Sequence, residues 1–123
     1  VHVHSAVTEY AVNLARATRE PETVKLDKLK KYIQFGASPR ASVNLILGAK
    51  ALAVVRGREY VLPEDVRDLA PEVLRHRVIL SYEALADNIA LEDTVQQLIA
   101  AVQTPRIHIG DPHRDIRQSA NPA

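Results

Sequence analysis

The sequence has no cysteine, no methionine, no tryptophan and a single phenylalanine. Without cysteine there is no disulfide framework, no thiolate ligand for a metal and no thiol nucleophile. Without methionine, even at position 1, the chain reads as a piece of a longer protein whose natural start lies elsewhere. Long apolar runs are missing as well. None approaches the ~18 residues that span a bilayer, and no signal peptide opens the chain. A membrane is therefore not expected as a partner, and a cytoplasmic location is. A dominant charge is missing too, with 16 Lys+Arg against 15 Asp+Glu. A nucleic-acid binder would normally show a basic excess, so nucleic acid is not expected either. Neither a Gly-x-x-x-x-Gly-Lys-Ser/Thr loop nor a Gly-x-Gly-x-x-Gly string occurs, so the chain lacks a phosphate cradle of its own.

What is present is helical periodicity. Val7, Tyr10, Ala11, Leu14, Ala15 and Thr18 recur at helical spacing over 5–19, with Ser5 as the expected N-cap. Pro21 and its polar neighbours make 19–27 a loop. Residues 25–36 form a short helical turn or an irregular segment ended by Gly36. The strongest element runs from Pro39 to Arg56. Ser38 suits its cap, Pro39 its first position and Gly57 its end. Apolar residues nearly surround this helix, which predicts a place at the centre of a bundle. Gly48 inside it costs roughly 1 kcal/mol in propensity, which a close helix neighbour would explain. Pro63, Glu64 and Asp65 open another helix, expected to break at Pro71 and resume as a turn over 73–75. Residues 78–81 are β-branched enough for a short extended piece. Leu91, Val95, Leu98, Ile99 and Val102 give a last amphipathic helix. Beyond Pro105 the pattern collapses. The expectation is an all-α bundle of four to five helices over 1–105 and a disordered tail over 106–123.

Few residues carry chemistry. The spacing of His2, His4, His108 and His113 matches no helical metal motif, so they read as solvent-exposed and no metal site is expected. The cluster Arg75, His76 and Arg77 is either a solvated face or a contact to an acidic partner surface or neighbouring subunit. Lys25, Lys28, Lys30 and Lys31 could face phosphate, but a solvated helix face accounts for them as well. Arg40 is different. It stands in the first turn of an apolar helix, where backbone N–H groups are unpaired and the dipole is positive. Together these make an anion site suited to phosphate. The plain alternative is a nearby carboxylate, Glu64 or Asp65, and the residues alone leave the two open.

The string Gly-Ala-Ser-Pro-Arg-Ala (36–41), an alanine-rich helix, Arg-Gly-Arg (56–58), Pro-Glu-Asp-Val (63–66) and Val-Leu-Arg-His-Arg (73–77) occur in that order. With the helix 10–21 before them, they resemble the C-terminal lid of MoxR-type AAA+ ATPases. The resemblance fades after about Pro105. It implies that Arg40 is the sensor-2 arginine, which reaches the γ-phosphate of ATP bound with Mg2+ by a preceding α/β domain, in cis or in trans. It implies ATP hydrolysis by the whole protein and an inactive lid that binds no cofactor alone. It also implies a homo-oligomeric ring, a hexamer, that remodels partner proteins in a chaperone-like way, often ones with von Willebrand factor A domains. Leu62 stands where the family commonly has Thr; it cannot cap, a loss of about 1 kcal/mol that puts the helix start in question. A stand-alone protein-interaction bundle or helix-turn-helix DNA binder is the alternative. Against DNA stand the balanced charge and a 39–56 helix too apolar to read a groove.

Overall fold

The structure, a computed structural model, describes residues 1–106. The expected disordered tail therefore lies outside the described residues, apart from Arg106, as do His108 and His113. Five α-helices form: α1 (Ser5–Arg19), α2 (Arg40–Val55), α3 (Pro63–Arg75), α4 (Tyr82–Ala86) and α5 (Leu91–Ala101). The chain is mostly helical, as an all-α lid requires. Two 3-10 turns, Pro21–Val24 and Asp27–Lys31, join α1 to β1 (Ile33–Phe35). β1 pairs antiparallel with β2 (Ile79–Leu80), Ile33 opposite Leu80 and Phe35 opposite Ile79, with an irregularity between the pairs. The expected extended piece near 78–81 is β2. Its partner lies in the segment read as a helical turn or irregular stretch.

Helices α1, α2, α3 and α5 share one core. Tyr10, Leu14, Leu45, Leu74 and Leu98 are its largest fully buried side chains. α1 turns Val7, Tyr10, Ala11, Leu14, Ala15 and Thr18 inward, the periodic set in the sequence. Its cap is His4, not Ser5: the His4 Nδ1 accepts from the Ala6 amide at 2.9 Å. His4 is buried rather than solvent-exposed, because capping draws the ring under the first turn.

α2 departs from its expected enclosure. Only Ala41, Leu45, Ala49 and Ala53 are buried, a single stripe at three- and four-residue spacing. Val43, Leu47, Val54 and Val55 are exposed. The small buried side chains let α3 approach closely, and a Cβ at Gly48 would run into the Leu69 side chain. With Leu69 in its present rotamer, that contact leaves room for no more than glycine.

α3 does not break at Pro71. It runs unbroken to Arg75, with Val66, Ala70 and Leu74 buried on either side of the proline. Pro71 forfeits one backbone hydrogen bond, and the packing of those flanking residues holds the helix through it. The helix begins at Pro63 despite Leu62. Asp65 supplies the cap from the third helical position, its Oδ2 accepting from the Leu62 amide at 2.8 Å. The α2–α3 connection covers residues 56–62, longer than the 3–4 residue turn of a helix-turn-helix. No helix among the described residues is long and apolar enough to cross a membrane.

Candidate functional site

The segment 36–41 is fastened to the C-terminal end of α1. Ala37 is fully buried; its amide donates to the Thr18 Oγ1 at 2.8 Å, and its carbonyl accepts from the Arg19 guanidinium at 2.8 Å. The Thr18 hydroxyl in turn donates to the Ala15 carbonyl at 2.6 Å. Gly36 lies so close to the backbone carbonyl of Thr18 that a Cβ there has no room. The Ser38 carbonyl then accepts from the Ala41 amide at 2.9 Å, and Pro39 adopts helical angles. Pro39 brings no amide and no side chain caps the start, since Ser38 contributes only its carbonyl. The Ser42 amide likewise donates to the Pro39 carbonyl at 3.1 Å, and Arg40 opens α2 from an exposed position.

Among the described residues Arg40 makes no ion pair and no side-chain hydrogen bond. The two candidate carboxylates are placed elsewhere. Glu64 is exposed and does not pair with it. Asp65 is fully buried and taken up by other arginines. Its Oδ1 accepts from Arg56 at 2.9 Å and from Arg58 at 2.6 Å, and its Oδ2 accepts from Arg58 at 2.8 Å. Arg56 also holds Asp68 at 2.8 Å. Burial alone would push the Asp65 carboxyl up. The hydrogen bonds from Arg58 and the Leu62 amide outweigh it and hold Asp65 below the ordinary aspartate value. This knot ties the end of α2 to the start of α3. Sequence reading saw Arg-Gly-Arg and Glu-Asp but did not join them. The available signal was an acid at the third helical position, the reciprocal half of a capping box.

Of the other candidates, Arg75 is engaged within the chain. It meets Glu72 at 3.1 Å and also Glu92 of α5, pinning the end of α3. His76 and Arg77 are exposed and border an open cavity of about 250 Å3 with Asn44, Glu72 and Val73. Lys28, Lys30 and Lys31 are exposed on the 3-10 turn Asp27–Lys31; with Asp27 and Tyr32 they line a cleft of about 510 Å3. Among the described residues no group of three or more His, Cys, Asp or Glu is arranged to hold a metal ion.

The profile of the AAA lid domain family matches residues 28–99. The chain is 45% identical over 106 residues to the chaperone MoxR1 of Mycobacterium tuberculosis, a match that takes in 86% of this chain and 28% of that protein. To the protein YeaC of Bacillus subtilis it is 35% identical over 105 residues, 85% of this chain and 30% of that one. The crystal structure of a candidate ATPase from Cytophaga hutchinsonii superposes with a TM-score of 0.81 at 38% identity, covering 86% of this chain and 32% of the other. The chain thus spans roughly three tenths of the length of the proteins it resembles.

Proposed function

Since the chain belongs to the AAA lid domain family, as a lid of the MoxR-type AAA+ ATPases, we propose that Arg40 is its sensor-2 arginine and contacts the γ-phosphate of ATP held by an adjoining α/β domain. The observation that carries this reading is the state of Arg40: an exposed guanidinium with no carboxylate partner among the described residues, at a helix start that no side chain caps, with Asp65 already committed to Arg56 and Arg58. A guanidinium offers a planar fork that matches phosphate oxygens, and the first-turn amides add partial positive charge.

ATP and its Mg2+ supply the phosphoryl group and the charge that hydrolysis acts on. Among the described residues Arg40 is the candidate contact for the terminal phosphate, and the reading assigns the ligands of the ion to the α/β domain. Arg40 orients and neutralises; when the terminal phosphate leaves, that contact is lost. Because Ala37 locks the Arg40 segment to α1, losing it biases the attitude of the whole lid. The reading places the whole protein in the cytoplasm as a homo-oligomeric, hexameric ring that remodels partner proteins, with von Willebrand factor A domain proteins as candidate partners. The chaperone name of the tuberculosis relative supports the remodelling role.

The test joins the lid to its ATP-binding domain and replaces Arg40 by Ala. Turnover should drop on the order of 10²-fold, with Arg40→Lys retaining part of it, while lid stability is unchanged. Wild-type turnover in Arg40→Ala would refute the assignment. Calorimetry on the 123-residue chain should show weak ATP binding or none; micromolar binding would reveal a second nucleotide site.

A further inference from the structure

Between α1 and β1 the chain concentrates Lys25, Lys28, Lys30 and Lys31, with Glu20, Glu22 and Asp27 as the acids of that segment. Lys25 sits in the left-handed region at φ 61°, and Asp27–Lys31 is a 3-10 turn. A 3-10 turn has three residues per turn, so Lys28 and Lys31 fall on one side of it. Lys30 approaches Glu22 at 4.0 Å; Lys28 and Lys31 meet no carboxylate among the described residues. The Lys31 ammonium lies 5.0 Å from the centre of the Tyr32 ring.

The turn beneath these lysines is firmly held. Leu29 is buried in the core. Ser81 donates its hydroxyl to the Lys31 carbonyl at 2.6 Å and its amide to the Tyr32 carbonyl at 2.8 Å. The Tyr32 hydroxyl donates to Asp87 at 2.7 Å. The backbone is thus fixed by β2 and α4 while the ammonium groups stay in solvent. Those hydrogen bonds come from Ser81 and Tyr32, and Lys28 takes no part in them.

We infer that this cleft binds an acidic, extended segment of a partner protein, its carboxylates against Lys28 and Lys31 and an apolar side chain against Tyr32. The donors favour a peptide over a small phosphate ligand. They are compact charges on flexible stems, without a buried donor, an arginine fork or a nest of amides to fix a phosphate. Each such contact is weak in water, so only a segment that makes several at once is held. The acids Glu22, Asp27 and Asp87 interrupt the positive charge around the cleft, which suits a segment with separated carboxylates better than the unbroken charge of a nucleic-acid strand. The inference is independent of Arg40 and of ATP.

The test is fluorescence anisotropy of the 123-residue chain with a short labelled peptide of alternating glutamate and leucine. Saturable binding that weakens as salt rises is expected. The double variant Lys28→Glu, Lys31→Glu should weaken it by about 10-fold or more. The charge-matched pair Lys50→Glu, Arg67→Glu, on α2 and α3, should leave it within about 2-fold. Asp27→Asn should tighten it. Circular dichroism on each variant checks that the helices remain. Absence of peptide binding, or equal loss in both double variants, overturns the inference. So does tighter binding of inorganic polyphosphate or single-stranded DNA that displaces the peptide.

Discussion

Replacing Asp65 by Ala should cost this chain a large share of its stability. An ion pair broken by removing one fully buried partner costs about 3–5 kcal/mol, and an exposed pair contributes about 0–1 kcal/mol. Asp65 lies between these limits in an informative way. Its own side chain is 0% exposed, whereas Arg58 and Arg56 are 18% and 38% exposed and can return to water. That places Asp65→Ala at about 2–4 kcal/mol, of which about 1 kcal/mol is the lost cap on the Leu62 amide. For a domain of this size the shift in melting temperature is on the order of 10 °C. Asp65→Asn keeps an acceptor and loses the charge, and should show about half the effect. The dependence on pH follows from the direction of the shift. The folded carboxyl titrates below its ordinary value of 3.8, so its contribution is fully present above that value and is lost as pH falls through the folded pKa. Thermal and urea denaturation of wild type and Asp65→Asn should show a constant gap between about pH 5 and 7 that closes below about pH 4. An Asp65→Ala variant within about 0.5 kcal/mol of wild type would refute the reasoning. So would a gap that persists unchanged in acid.

Two glycines and two hydroxyls give paired tests. Gly36→Ala should destabilise by about 1–3 kcal/mol, since its Cβ meets the backbone of Thr18, which cannot yield. Gly48→Ala meets only the Leu69 side chain, which can rotate, so with its gain in helix propensity it should stay within about 1 kcal/mol of wild type; chemical denaturation that ranks the two the other way would contradict the packing described. Thr18→Val leaves the buried Ala37 amide without its acceptor and should cost about 1–3 kcal/mol. Tyr10→Phe removes a buried hydroxyl that has no hydrogen-bond partner among the described residues and should be neutral or stabilising by up to about 1 kcal/mol; a clear loss on melting would contradict that environment.

The long helices were legible because their apolar residues repeat at helical spacing and their ends carry punctuation. Gly57, with φ 77°, follows α2 as a C-terminal glycine should, and Pro63 opens α3. What was not legible depended on distant partners. β1 has three residues, and pairing with β2, far along the chain, is what makes it a strand. His4 capped a helix that a neighbouring serine could have capped. Pro71 carries a local signal to stop, and the burial of Val66, Ala70 and Leu74 overrides it. α2 looked central because its composition is apolar on every side; composition reports what a face prefers and not whether a neighbour covers it. At the candidate site, the order of residues around Arg40 raised the question of an anion. Only the geometry showed that Asp65 is engaged elsewhere.

The anchoring of Ala37 has a mechanical consequence. Between that fixed residue and Arg40 lie only Ser38 and Pro39, and the ring of proline removes one of the few rotations left. The Arg40 backbone is thus mounted on a short, stiff arm whose base is a helix of the bundle. If Arg40 reads the terminal phosphate as proposed, jitter in a loop would blur the difference between a phosphate present and one departed, and a stiff mount filters that noise. On the proposed role of Arg40, the steadiness of that mount is the steadiness of the bundle, and Thr18 and Gly36 would set how sharply the lid tells one nucleotide state from the other.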